Sequence, residues 1–261
     1  MSTPSLLKVC KLSVDVPGKR LLNNISLEVN PGELIAVIGP NGAGKSSLLK
    51  AVVGDLTARY TDIQLNGRDL LTLADSDRAQ QLAYLPQSSG LSFPFTVTEV
   101  VALGRLPHAS GRHADSKIVN EALSYCDIAH LAHDNYLQLS GGEKQRVQLA
   151  RVFAQIWQTE FQQSRLLILD EPFSAIDIAH KLQLVEHLQK LKSTGVGIVM
   201  VVHDFQFTAQ HADRVLALKN GECVVFDRTE NVMNTETLKK IFDVSLNIIA
   251  HPVTGKPIIY S

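Results

Sequence analysis

The chain has 261 residues, 45% of them hydrophobic, which is ample for a sizeable core in one or two domains. Its 25 Lys and Arg balance 26 Asp and Glu for a formal net charge of −1, and no dense basic block occurs, so the sequence argues against a nucleic-acid partner. Cys10, Cys126 and Cys223 lack metal or disulfide spacing, Met1–Leu12 has no apolar signal core, and the longest apolar run, near Val196–Val202, is far below the roughly 18 residues of a membrane span; a reducing cytosol is expected.

In chain order, residues 6–29 alternate apolar and polar positions around Pro17-Gly18 and predict an antiparallel hairpin. Pro31-Gly32 ends it, and the unbroken apolar run Leu34–Ile38 reads as a buried parallel strand followed by a helix through Leu48 and Val53. Ile63–Leu65 predicts a strand closed by the Asn66-Gly67 turn, and Tyr84-Leu85-Pro86-Gln87 ends another. From about Ser88 the texture becomes helical, with a helix start at Thr96–Glu99 and helical patterns over Ile118–Leu131 and Glu143–Trp157. Short β-branched strands resume at Leu166–Leu169, Ile198–Val202 and Val215–Leu218, the texture of a sheet covered on both faces. The tail predicts an Asn220-Gly221 turn, a strand at Val224–Phe226, a helix near Glu236–Phe242 and a short hairpin around Thr254-Gly255.

Between the Leu34–Ile38 strand and its helix stands Gly39-Pro40-Asn41-Gly42-Ala43-Gly44-Lys45-Ser46-Ser47, a G-x-x-x-x-G-K-S loop. Glycines there let backbone N–H groups converge on an anion, and the helix adds partial positive charge at its start. Lys45 is placed to reach the β/γ-phosphates and Ser46 to ligate Mg²⁺. Leu166–Leu169 deliver Asp170 and Glu171 to the end of a buried strand, where α/β sheets hold ligands. Asp170 is the candidate for Mg²⁺ and Glu171 for the base that polarises the attacking water. Ser140-Gly141-Gly142-Glu143 predicts a second capped helix N-terminus able to hold an anion.

Gly39–Ser46, Gln87, Leu139–Glu143, Asp170-Glu171, Ser174–Asp177 and His203 occur in the order and approximate spacing of the ATP-binding subunit of ABC transporters. They resemble its Walker A loop, Q-loop, signature, Walker B strand with catalytic glutamate, D-loop and switch histidine, and the resemblance covers nearly the whole chain. It implies an α/β fold, a P-loop NTPase (RecA-like) core with an antiparallel β subdomain and a helical subdomain inserted over 88–163. Residues 1–261 are then one nucleotide-binding domain. It implies that residues 39–47 and Gln87 bind ATP, that Ser46, Gln87 and Asp170 hold Mg²⁺, and that Glu171 and His203 are catalytic. With one phosphate loop and one signature per chain, it implies a homodimer in which Ser140, Gly141, Gly142 and Asp177 complete the partner's site. A transmembrane permease dimer, a periplasmic substrate-binding protein and a place on the cytoplasmic face of the bacterial inner membrane follow from the same resemblance.

Phe93–Arg105 looks like the group serving importers of iron-siderophores, cobalamin and heme. The Gly104–His108 run and the long Gln155–Arg165 spacer look most like heme import ATP-binding proteins, and 251–257 resembles the same group. The first rivals are the same machine carrying siderophore or cobalamin, and a soluble scaffold of the same fold. The sequence departs from the family at Val16-Pro17, where many members place an adenine-stacking ring, at Phe173 and at Ile176. His130 and His133, three apart on the predicted helix, and the nearby His108 and His113 invite a ligand reading, but surface histidines on an amphipathic helix are common and no transported substrate needs to reach them.

Overall fold

The computed structural model describes residues 5–70, 72–88, 90–157, 164–253 and 255–260. The first strands, β1 (Leu7–Val16) and β2 (Lys19–Val29), form the expected hairpin, followed by β3 (Leu34–Ile38) and α1 (Lys45–Val53). Next come β4 (Asp62–Leu65), β5 (Arg68–Asp69), α2 (Asp75–Gln81) and β6 (Leu82–Leu85). The described segments between β6 and the following strand are helical: α3 (Val97–Ala102), α4 (Arg112–Tyr125), α5 (Gly141–Ile156) and short 3₁₀ turns. Then come β7 (Leu166–Asp170), α6 (Ile178–Ser193), β8 (Gly197–Val201), α7 (Phe205–His211), β9 (Arg214–Lys219), β10 (Glu222–Arg228), α8 (Thr229–Val232), α9 (Thr235–Phe242), β11 (Asn247–Ala250) and β12 (Pro257–Tyr260).

One sheet runs β10-β9-β3-β8-β7-β6, and a second, antiparallel sheet runs β2-β1-β4-β5. In the first, β9, β3, β8, β7 and β6 are parallel to one another and β10 is antiparallel to β9. The alternation of β3 sorts the core. Leu34, Ala36 and Ile38 face a cluster shared with Val100, Val147, Phe153 and Leu188 of the helices, whereas Ile35 and Val37 face one shared with Leu48, Val14 and Ile25 of α1 and the antiparallel sheet. Both faces of the sheet are thus covered, which is why its strands read as unbroken apolar runs. The fold is the P-loop NTPase architecture that the resemblance implies, with an antiparallel sheet on one face and the helical layer on the other.

Two expectations need correction, and one element went unread. The pattern read as one helix over Ile118–Leu131 is α4, which begins earlier at Arg112 and is capped at Cys126, with Asp127 in the left-handed region at φ 52°. His130 therefore sits in a 3₁₀ turn and His133 in the turn after it, so the two do not share a helical face. The sequence reading has no counterpart for α2, because Asp75–Gln81 is polar apart from Ala79 and has no side-chain cap to announce it. Residues 158–163 of the Gln155–Arg165 spacer and Thr254 of the final hairpin lie outside the described residues.

Candidate functional site

The chain leaves the buried end of β3 through Gly39 and enters α1 through Gly44, and at both positions only glycine fits. Gly39 has φ 148° and a Cβ there would lie 2.1 Å from the Leu218 carbonyl oxygen; Gly44 has φ 101° and its Cβ would lie 2.7 Å from the Leu22 side chain. Gly44 caps α1 without a side-chain bond, leaving the first amides of the helix directed at the cleft. Lys45 is buried, and its Nζ donates to the carbonyls of Gly39 at 2.8 Å and Pro40 at 3.1 Å. Burial pulls its pKa below the ordinary lysine value, opposed by the charges of Glu171 and Asp170.

Strand β7 lies between β6 and β8, so its last residue, Asp170, ends fully buried. Ser46 Oγ donates to Asp170 Oδ1 at 3.2 Å, while Asp170 Oδ2 is buried with no hydrogen-bond partner among the described residues. Burial pushes the Asp170 carboxyl upward; the Ser46 bond opposes this and the Glu171 charge adds to it. A serine oxygen beside an orphaned carboxylate oxygen is a hard-donor pair of the kind a small divalent cation takes, so the residues present fit Mg²⁺. Glu171 follows with φ 52°, a left-handed backbone that costs a non-glycine residue about 1–2 kcal/mol and breaks the strand alternation. Its carboxylate Oε1 accepts a hydrogen bond from His203 Nε2 at 2.8 Å, and His203 is delivered by the end of β8.

Apart from the buried Asp170, which meets the cleft only through its bond to Ser46, these groups open onto one cleft of about 770 Å³, lined by Asn41–Ser47, Gln87, Glu171 and His203. Gly39 and Pro40 lie behind it as acceptors for Lys45. The cleft does not contain Ser140, Gly141, Gly142 or Asp177. Ser140 caps α5 in a reciprocal capping box with Glu143, and Asp177 caps α6 by accepting from the His180 amide.

Lys19, Arg20, Leu21, Asn220 and Gly221 also line the cleft, and sequence reasoning missed them as site residues. The Asn-Gly signal at 220–221 was legible, but only as a hairpin turn. In space that turn braces the phosphate loop: the Gly221 amide donates to the Ala43 carbonyl at 3.1 Å, and the Asn23 amide donates to the Gly221 carbonyl at 2.8 Å. No Phe, Tyr or Trp lines the cleft among the described residues.

The sequence profile of the ABC transporter family matches residues 22–174. The chain belongs to the ABC transporter family. This ABC ATPase is 44% identical over 254 residues to the hemin import ATP-binding protein HmuV of Pseudomonas fluorescens, covering 97% of this chain and 99% of that protein. It is 40% identical over 256 residues to the HmuV of Gloeobacter violaceus, covering 97% and 93%. The solved structure of an ATP binding subunit of an ABC transporter shares its fold, with a TM-score of 0.79 at 24% identity over 92% of this chain and 96% of that one. As a member of this family the chain hydrolyses ATP.

The Gly104–His108 run of the ABC ATPase is turned largely inward. A Cβ on Gly104 would lie 2.2 Å from the Arg151 carbonyl oxygen. Arg105 is buried, donating to the Ala154 carbonyl at 2.7 Å and pairing with Asp115 at 3.0 Å. His108 Nε2 lies 2.8 Å from the Gln155 carbonyl, and burial pulls its pKa down. Leu106, 77% exposed, is the part of this run presented to solvent.

Proposed function

We propose that this ABC ATPase powers import of heme through a membrane permease, working as a homodimer on the cytoplasmic face of the inner membrane. ABC importer ATPases act with transmembrane permease components, and among the described residues no helix of this chain is long and apolar enough to cross a membrane itself. The observation that carries the heme reading is identity of 44% across nearly the full length of a hemin import ATP-binding protein. In this reading residues 1–261 form one nucleotide-binding domain with a helical insertion over 88–163, and a periplasmic binding protein delivers the cargo.

The phosphate loop, Gly39–Ser47, cradles the triphosphate through its amides, and the Lys45 ammonium turns from the loop carbonyls to the β/γ-oxygens. Ser46, Asp170 and Gln87 would hold Mg²⁺, which would supply positive charge against that developing on the phosphates. Glu171 accepts the proton of the attacking water, and the His203 Nε2–H bond fixes the direction of that carboxylate. Ser140, Gly141, Gly142 and Asp177, remote from their own cleft, complete the cleft of the second copy. Closure over ATP and opening after hydrolysis then bias the permease between two states.

The test is reconstitution with the permease in liposomes, each loaded binding protein being supplied in turn. ATP-dependent uptake of heme is expected. Uptake of cobalamin or a ferric siderophore without heme overturns the cargo while leaving the ATPase intact, and ATP hydrolysis without any association with a permease favours the scaffold reading.

A further inference from the structure

Asp177 has two oxygens, and both are taken by one residue. Its Oδ1 accepts from the His180 amide at 3.0 Å, the ordinary cap of α6, and its Oδ2 accepts from the His180 ring Nδ1 at 2.7 Å. The other ring nitrogen, Nε2, faces Arg146 Nη1 of α5. A guanidinium only donates, so Nε2 is the ring nitrogen placed to accept from Arg146 and Nδ1 the one placed to donate to Asp177. Asp127 lies at the edge of the group, its Oδ2 3.8 Å from Arg146 and 3.6 Å from His180. The Arg146 side chain is 14% and the His180 side chain 24% exposed, so the chain of contacts is partly shielded from water, whereas the Asp177 carboxylate at its end is 65% exposed.

The same seam is closed at two further points. A Cβ on Gly142 would lie 2.8 Å from the Ala175 carbonyl oxygen, which brings the backbone of residues 174–177 directly against the first turn of α5. Gln145 Nε2 donates to the Pro172 carbonyl at 3.3 Å. Ser140 and Asp177, the residues that the cleft leaves out, are therefore held in one unit.

We infer that His180 is a positioning residue which aims the exposed carboxylate of Asp177 and ties it to the helix begun by Ser140, so that both reach the second copy's cleft in a fixed relation. The inference rests on the two-chain site proposed above. It requires no contact between His180 and ATP. The Oδ1 cap is made by a backbone amide and survives any side-chain substitution at His180, so α6 is retained in the variants.

Three variants separate the two ring nitrogens. His180→Asn places an amide N–H near the position of Nδ1 and keeps the Asp177 bond; His180→Gln places its amide near Nε2 and keeps the Arg146 contact; His180→Ala keeps neither. Turnover should fall about tenfold in His180→Ala and His180→Gln, with KM for ATP within about twofold of the parent, and should stay within about threefold in His180→Asn. Thermal midpoints of all three should match the parent. In a Glu171→Gln background, where ATP should hold two chains together, His180→Ala and His180→Gln should need a higher chain concentration to dimerise. Parental turnover in His180→Ala, equal loss in His180→Asn and His180→Gln, or loss tracking a lowered thermal midpoint overturns the assignment. If Glu171→Gln alone fails to dimerise with ATP, the two-chain site falls and takes this inference with it; dimerisation unaffected by His180 substitutions removes only the inference.

Discussion

Glu171 and Asp170 are adjacent in sequence but occupy opposed environments, and each makes its own prediction. Glu171 meets the cleft and is aimed by His203. Glu171→Gln should retain ATP binding and lose turnover by about 10²-fold or more, with an ATP-stabilised dimer seen by size-exclusion chromatography. Unimpaired turnover would remove Glu171 from the role of base. Asp170 carries a buried carboxylate with one oxygen unpaired, a cost to folding that is kept for what the pair with Ser46 can hold. Because burial raises its pKa in the folded state, the native protein binds this proton more tightly than the unfolded chain, and stability declines as pH rises through the folded-state value. Asp170→Asn should therefore be more stable than the parent at pH 7, by about 1 kcal/mol or roughly 2–4 °C, while losing Mg²⁺-dependent hydrolysis. The stability difference should shrink at acid pH, where Asp170 itself is protonated; calorimetry against pH reads this directly. The acids were legible in the sequence as the end of an apolar run, but their division of labour depends on the left-handed turn at Glu171, which no residue type at that position announces.

Two helices begin with the same device. Thr96 and Glu99 cap α3, and Ser140 and Glu143 cap α5, each as a reciprocal pair. Local chemistry gives no means of telling them apart, and Ser-Gly-Gly-Glu alone reads as an ordinary cap. The difference lies two residues beyond the serine, where Gly142 allows the Ala175 carbonyl to approach and brings the loop that ends in Asp177 alongside. Thr96→Ala and Ser140→Ala should each lower stability by about 1 kcal/mol in denaturant unfolding. Only Ser140→Ala should also lower ATP turnover by more than about tenfold, since in the proposed two-chain site its hydroxyl serves the second copy's cleft as well as its own helix. Equal turnover in the two variants would reduce the signature serine to a cap. At this scale the sequence is most readable where the apolar signal is strong, as in the unbroken runs of β3, β7 and β8 and the helical stripe of α5, and least so in α2, whose seven residues are held by their neighbours without an apolar stripe of their own.

The arrangement of the whole molecule leaves each cleft without Ser140 and Asp177 of its own chain. That predicts complementation: mixing Lys45→Ala chains with Ser140→Ala chains, each inactive alone, should restore activity, because one of the two clefts in a mixed dimer has its loop and its signature intact. Random pairing sets the recovery at up to about a quarter of the parent rate. No recovery would argue that both groups act within a single chain. The cleft walls at Lys19–Leu21 and Asn220-Gly221 come from distant parts of the sequence, and their meeting follows from strand order, which periodicity does not encode. That order bears on how the protein is made. The neighbours of β3 are β8 and β9, and the turn that braces Ala43 contains Gly221, so every support of the phosphate loop in its sheet is synthesised more than a hundred residues after the loop itself. A ribosome that has released residues up to about 190 presents the complete glycine-lysine-serine motif with no flanking strand to hold it. The stretch that a reader of the sequence recognises first is among the last to become able to bind a nucleotide.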